Sequence, residues 1–162
     1  MKSRLRLRLI LPILLIVVTL IFIWSNSLKD ATASGEQSDA AASLFCRIFD
    51  VERQPFRFLY ENLRKVAHFT EFALLGAEVA LLFLWNRKRE VRFCILGIAF
   101  CAVCAAIDEC IQYFVPGRAC LLSDVGIDTA GSACALIFLF LLAFLIACTI
   151  KKRSIKQGRS CS

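Results

Sequence analysis

The sequence predicts an all-α fold: a multi-pass transmembrane helical bundle of about four spans, with both termini cytoplasmic. Three observations predict it. Of the 162 residues, 59% are hydrophobic and the mean hydropathy is +0.69, against about 45–50% apolar in soluble domains. Apolar residues fall into four long runs separated by charge-rich segments. Basic residues crowd into alternate segments between those runs. Together these exclude a soluble enzyme, a disordered tail and a nucleic-acid module. The net charge of +7 lies beside apolar runs, where a membrane surface accounts for it better than nucleic acid does.

The first run, 9–24, follows Lys2, Arg4, Arg6 and Arg8. The second covers 66–85, the third 93–111 and the fourth 127–150. The third is strictly apolar only to Ile107, but its helical pattern continues toward Tyr113. A span takes about 20 residues, with a range of about 17–25. The second and fourth runs suffice alone; the first and third draw on flanking residues that reach into the headgroup layer. A cleaved signal peptide is the alternative for the first run, with Ala31-Thr32-Ala33 downstream; its length and Trp24 favour a retained span.

Residues 25–64 form an outer loop in this reading. Ser25–Ala42 is rich in Ser, Ala, Asp and Gly. Ser43–Lys65 mixes Phe45, Ile48, Phe49, Phe56, Phe58, Leu59 and Tyr60 with charges. With Pro55 suited to a first helical position, it is expected to hold an interfacial helix. One domain, 1–162, accommodates the whole.

The charges set the orientation. The N-terminus carries four basic residues and no acid, the 86–92 link four and one, and 151–159 five and none. By contrast 25–65 is balanced at six and six, and 108–128 carries one basic residue and four acids. Basic flanks stay in the cytoplasm, so both termini are expected inside.

Nine cysteines are too few for a disulfide scaffold. Cys94, Cys101, Cys104, Cys134 and Cys148 lie in apolar runs and read as small hydrophobes. Cys110 and Cys120 flank a turn and are placed to bridge in an oxidising space.

Ionisable residues in spans are costly and mark function by default. His68 and Glu71 share a helix face near the outer surface, and Glu78 lies two turns deeper on that face. Glu78 must be protonated or paired. Asp108 and Gln112 share a face at the end of span three, beside Glu109, where two acids oppose the helix dipole. Pro116-Gly117-Arg118 makes a turn that presents an arginine. Ser123 or Asp124 is placed to cap span four, with Asp128 four residues beyond Asp124. Glu71, Asp108, Glu109, Asp124 and Asp128 thus map to the outer mouths of three spans, offset only by Arg118 and His68. That many carboxylates in a low-dielectric site must share protons, bind a cation or face water. Small residues at Ala102 and Ala106, and at Gly131 and Ala135, predict a close approach of spans three and four.

The strings Lys65-Val-Ala-His68-Phe-Thr-Glu71-Phe and Asp108-Glu109-Cys-Ile-Gln112-Tyr-Phe-Val-Pro116-Gly117-Arg118 resemble the VanZ-like family. So do Ser123-Asp124-Val125, Gly131 and the serines Ser25, Ser27, Ser34 and Ser38. The resemblance covers roughly Leu9 to Phe144. It implies a small bacterial multi-pass protein of the cell membrane. The family's founding member is linked to low-level teicoplanin resistance. Two residues depart from the pattern: Asp128 stands where the family often has asparagine, and Glu78 is peculiar to this chain.

Three roles compete. In the first, an enzyme or transfer protein acts on an envelope lipid or lipid-linked glycan at the outer leaflet. His68, Glu71, Asp108 and Glu109 are then its candidate catalytic residues, and Gln112, Arg118, Ser123 and Asp124 its candidate substrate contacts. In the second, the cluster is a structural or lipid- and partner-binding network without catalysis. The third, ion transport, rests on Glu78 alone. A lone histidine with carboxylates suits magnesium, calcium or manganese rather than zinc. The sequence assigns no metal ligand set and no cofactor. The expected partners are membrane lipids, with an anionic envelope lipid or lipid-linked glycan as ligand, and no nucleic acid.

Overall fold

A computed structural model describes residues 2–29, 40, 43–44, 47–48, 63–118 and 120–159. Among the described residues there are four long helices and no strand: α1 (Lys2–Ser27), α2 (Leu63–Trp85), α3 (Val91–Tyr113) and α4 (Leu122–Arg159). Each contains a stretch long and apolar enough to cross a membrane: Leu9–Ser27, Leu63–Trp85, Val91–Tyr113 and Leu122–Lys151. The four expected spans are present, and every one is longer than its apolar run. Polar residues such as Asn26, Ser27, Arg64 and Gln112 continue the helices past the apolar stretches because partners in neighbouring helices satisfy them. The candidate signal-peptide site, Ser34, Ser38 and most of the expected interfacial segment lie outside the described residues.

The surfaces are distributed for lipid. On α1 the buried positions are Pro12, Ile16, Thr19, Ile23 and Ser27, one stripe at helical spacing. The large apolar residues around that stripe, Ile10, Leu14, Val18 and Phe22 among them, face outward. The interior holds Glu78, Asp108, Glu109, Gln112, Asp128 and Ser132 beside a core of Ile23, Phe72, Leu75, Val79, Cys101, Ala105 and Leu136. Apolar surface outside and polar groups inside is the arrangement a bilayer favours.

Helix α2 packs against all three others. Its closest neighbour is α4, which runs parallel to it and crosses between Phe69 and Gly76. A Cβ built on Gly76 would collide with the Ser132 carbonyl oxygen, and one on Gly131 with that of Phe69. Spans three and four do pack together as expected, with Cys101 of α3 beside Ser132 of α4, but the small-residue face of α4 is shared with α2. Gly131 serves the α2 contact, while Ala106 is exposed and Ala102 only half-buried. Spacing identifies a small-residue face but not the helix that fills it.

Two turns close the bundle. After α2, Arg87 adopts φ 60, the Lys88 amide donates to the Phe83 carbonyl (2.8 Å) and the Arg87 amide to that of Leu84 (3.0 Å). This is a Schellman stop with arginine where glycine is usual. After α3, Val115-Pro116-Gly117-Arg118 forms a type II turn: the Arg118 amide donates to the Val115 carbonyl (3.2 Å) and Gly117 has φ 75. Cys110 and Cys120, beside that turn, are exposed free thiols rather than a disulfide.

Candidate functional site

The ends of α1 and α3 and the starts of α2 and α4 meet at one end of the bundle, opposite the chain termini. Asn26 contacts Glu71, Ser27 contacts Gln112, and His68 faces Asp128. Here the buried polar residues concentrate.

His68 stands between two helices. Its Nδ1 is 3.8 Å from Asp108 Oδ2 on α3 and 3.8 Å from Asp128 Oδ2 on α4. Both distances are too long for hydrogen bonds. Asp128 is 1% exposed, and neither of its oxygens has a hydrogen-bond partner. Asp108 is wholly buried; its Oδ2 accepts from Gln112 Nε2 at 2.7 Å, while Oδ1 has no partner. His68 Nδ1 is likewise buried without a partner. Three ligand-capable atoms from three helices therefore lie within 4.8 Å of one another.

Gln112 is the hub behind this group. Its amide nitrogen donates to Asp108 and, at 3.3 Å, to Ser27 Oγ on α1. Its carbonyl oxygen accepts from Arg64 Nη2 at 2.7 Å. Gln112 thus joins α1, α2 and α3, with both its N–H donors and one acceptor site used within the protein.

A cavity of about 230 Å3 opens beside the group, lined by Arg64, Lys65, His68, Glu109, Leu121, Asp124, Ile127 and Asp128. Glu109 Oε2 accepts the Leu121 backbone N–H at 2.9 Å. Ser123 is exposed and donates to Asp124 Oδ1 at 3.1 Å. Neither Ser123 nor Asp124 precedes α4 as a cap: the helix begins at Leu122, so both lie in its first turn. Glu109, from the neighbouring helix, accepts the amide of Leu121, the residue before α4.

Glu71 turns away from His68 toward α1. Its Oε1 accepts from Asn26 Nδ2 at 3.1 Å, and Lys29 Nζ donates to Asn26 Oδ1 at 2.9 Å. Arg118 Nη2 reaches the Asn26 backbone carbonyl at 3.4 Å. Deeper, Thr19 Oγ1 donates to Glu78 Oε1 at 2.8 Å, which gives one Glu78 oxygen a partner while Oε2 stays buried without one.

The candidate residues thus divide. His68, Glu109 and Asp124 line the cavity, with Asp108 and Gln112 behind it; Glu71 and Arg118 belong to the α1 side, and Ser123 lies on the surface. Asp128, counted among the acids at the mouths but outside the candidate set, is at its centre. Arg64, Lys65 and Asn26 also join it without having been singled out as contacts; a basic or amide residue at a span end looks like any headgroup anchor. Among the described residues His68 makes no hydrogen bond to a serine, threonine or cysteine, so no nucleophile–base pair is assembled. The set offers instead a basic wall for an anion and a carboxylate–imidazole group for a cation.

Fold and site define a four-span helical membrane protein with a buried acid–histidine cluster at one end. The chain belongs to the VanZ/LLP1 family, whose model matches residues 9–151. No curated protein and no solved structure matches it.

Proposed function

We propose that this VanZ-like membrane protein works in the bacterial cell envelope. There it binds the anionic headgroup of a lipid or lipid-linked glycan at the outer leaflet and so contributes to glycopeptide resistance of the teicoplanin type. The observation that carries this reading is the cavity with Arg64 and Lys65 in its wall, at the bundle end where α2 enters the membrane. Arginine and lysine there suit a phosphate or carboxylate. The cavity, about 230 Å3, has room for a small anionic headgroup. The charge asymmetry of the links supports placing this end outside.

A non-catalytic structural or lipid- and partner-binding role, with no part in resistance, is the second reading. It is favoured by the His68 imidazole, which has no nucleophile bonded to it, and by Gln112, which is committed to Arg64, Asp108 and Ser27.

One experiment tests the role. The chain is expressed in a glycopeptide-sensitive host and susceptibility to teicoplanin and vancomycin is compared, with wild type beside Arg64→Ala and Lys65→Ala at matched membrane levels. Protection against teicoplanin by wild type, lost in both variants, is expected. No protection by wild type overturns the resistance role. Losses graded by side-chain size, accompanied by falling thermal stability, favour the structural reading over a ligand site.

A further inference from the structure

Two buried aspartates from different helices beside a single histidine are an expensive arrangement. Each buried polar atom left without a partner gives up its hydration for nothing, and a charged one gives up more. The three residues hold four such atoms, both oxygens of Asp128, Oδ1 of Asp108 and Nδ1 of His68, and His68 Nδ1 stands 3.8 Å from Oδ2 of each aspartate. Three different helices supply them, so no local backbone preference explains their meeting. Arg64, the nearest basic residue with a bond into the group, reaches only the carbonyl oxygen of Gln112. One atom from each of the three residues lies within 4.8 Å of the other two, so a single small cation placed among them would compensate all three residues.

We propose that His68, Asp108 and Asp128 form a three-ligand site for a divalent cation of the manganese class. The spacing suits it. Ligand atoms about 2.0–2.2 Å from a shared ion stand roughly 3–4 Å apart over ordinary coordination angles; His68 Nδ1 is 3.8 Å from an oxygen of each aspartate. The charge suits it as well, since two carboxylates cancel a divalent ion and a neutral imidazole adds none. One nitrogen with two carboxylate oxygens is a harder set than the thiolate and multi-histidine sites of structural zinc.

The surroundings complete the design. Gln112 Nε2, at 2.7 Å from Asp108 Oδ2, orients that carboxylate as an outer partner of the ligand. Gln112 is in turn held by Arg64 and Ser27. His68 and Asp128 also line the 230 Å3 cavity, so the open coordination positions point into it. An anion entering past Arg64 and Lys65 meets the ion at the cavity floor. The cation site does not depend on the headgroup reading, because the three ligands converge without any lipid.

The test uses the full chain, purified in detergent through a tag free of histidine, stripped with EDTA and titrated with MnCl2. One Mn2+ per chain is expected. Because the chain has a single histidine, an imidazole 14N coupling in the pulsed EPR spectrum of bound Mn2+ identifies His68 in the wild type. Asp108→Asn and Asp128→Asn keep the side-chain size and are expected to weaken Mn2+ binding by about tenfold or more. Glu90→Gln, at the opposite end of the bundle, is expected to bind as wild type does. The proposal is overturned if wild type retains no Mn2+, if bound Mn2+ shows no 14N coupling, or if Asp128→Asn binds as tightly as wild type. Should an aspartate variant fail to fold, the wild-type stoichiometry and nitrogen coupling decide alone. No lipid enters the measurement, so failure of the headgroup reading leaves it unaffected.

Discussion

Glu109, near the end of α3, accepts the backbone N–H of Leu121 at the entry of α4, across 2.9 Å. A carboxylate drawn from one helix thus takes the place of a cap supplied by the next. The role is structural and needs an acceptor oxygen, not a charge. Glu109→Gln is therefore expected to leave thermal stability in detergent within about 0.5 kcal/mol of wild type, and Glu109→Ala to lower it by about 1–2 kcal/mol. Equal losses in both variants would show that the charge itself holds α4. The same pair separates fold from function, since a Gln variant that is stable but no longer protects has lost a ligand contact.

The α1–α2 contact is stitched at two levels. Thr19 bonds Glu78 and Asn26 bonds Glu71, with seven residues between the partners on each antiparallel helix. Removing Thr19 alone leaves Glu78 wholly unbonded inside the bundle. Thr19→Val is expected to cost about 1–3 kcal/mol, and the double change Thr19→Val with Glu78→Leu to recover most of it. A double-mutant cycle read by thermal unfolding checks this; a double variant no more stable than Thr19→Val contradicts it.

Two glycines of α4 predict opposite signs. Gly131→Ala drives a methyl group into the Phe69 backbone and is expected to destabilise by about 1–3 kcal/mol. Gly126→Ala meets no atom within 4 Å and is expected to gain up to about 1 kcal/mol from helix propensity. Unfolding midpoints of the two variants, compared with wild type, provide the measurement.

Arg87 holds a left-handed conformation, φ 60, that costs a non-glycine residue about 1–2 kcal/mol. Part of that is offset by the chain entropy glycine loses on folding. Arg87→Gly is expected to stabilise the protein by about 0.5–1 kcal/mol. It also removes one of the basic residues of the 86–92 link without changing the topology, because three remain against Glu90.

The outer placement of the cavity has a direct check. Fused at the C-terminus, green fluorescent protein is expected to fluoresce and alkaline phosphatase to be inactive, as a cytoplasmic terminus requires. The reverse pattern puts the cavity on the cytoplasmic side and removes the outer-leaflet ligand.

Local periodicity made part of the site legible. Asp108 and Gln112, four apart on α3, do meet, at 2.7 Å. Glu71 and Glu78 do share the face they were given, and that face is the one turned to α1. What periodicity does not carry is the identity of the neighbour. Thr19 is unremarkable in an apolar run, yet it is the partner of an acid 59 residues away. His68 and Glu71 share a face by spacing, but Glu71 bonds Asn26 while His68 faces two aspartates.

The sequence by itself determined the class of this protein. Four apolar runs each exceed what a soluble surface tolerates, and a helix is the conformation that satisfies their backbone within a bilayer. Its motif strings also pointed to the family that the match over residues 9–151 establishes. Only the tertiary structure decided that α4 lies closest to α2, that Asp128 joins His68 and Asp108, and that Arg64 and Lys65 form the cavity wall. The physical reason is one of range. Hydropathy and helical pitch act within a few turns of one chain segment, whereas a site shared by three helices depends on how their surfaces fit, and that information is spread over residues far apart in sequence.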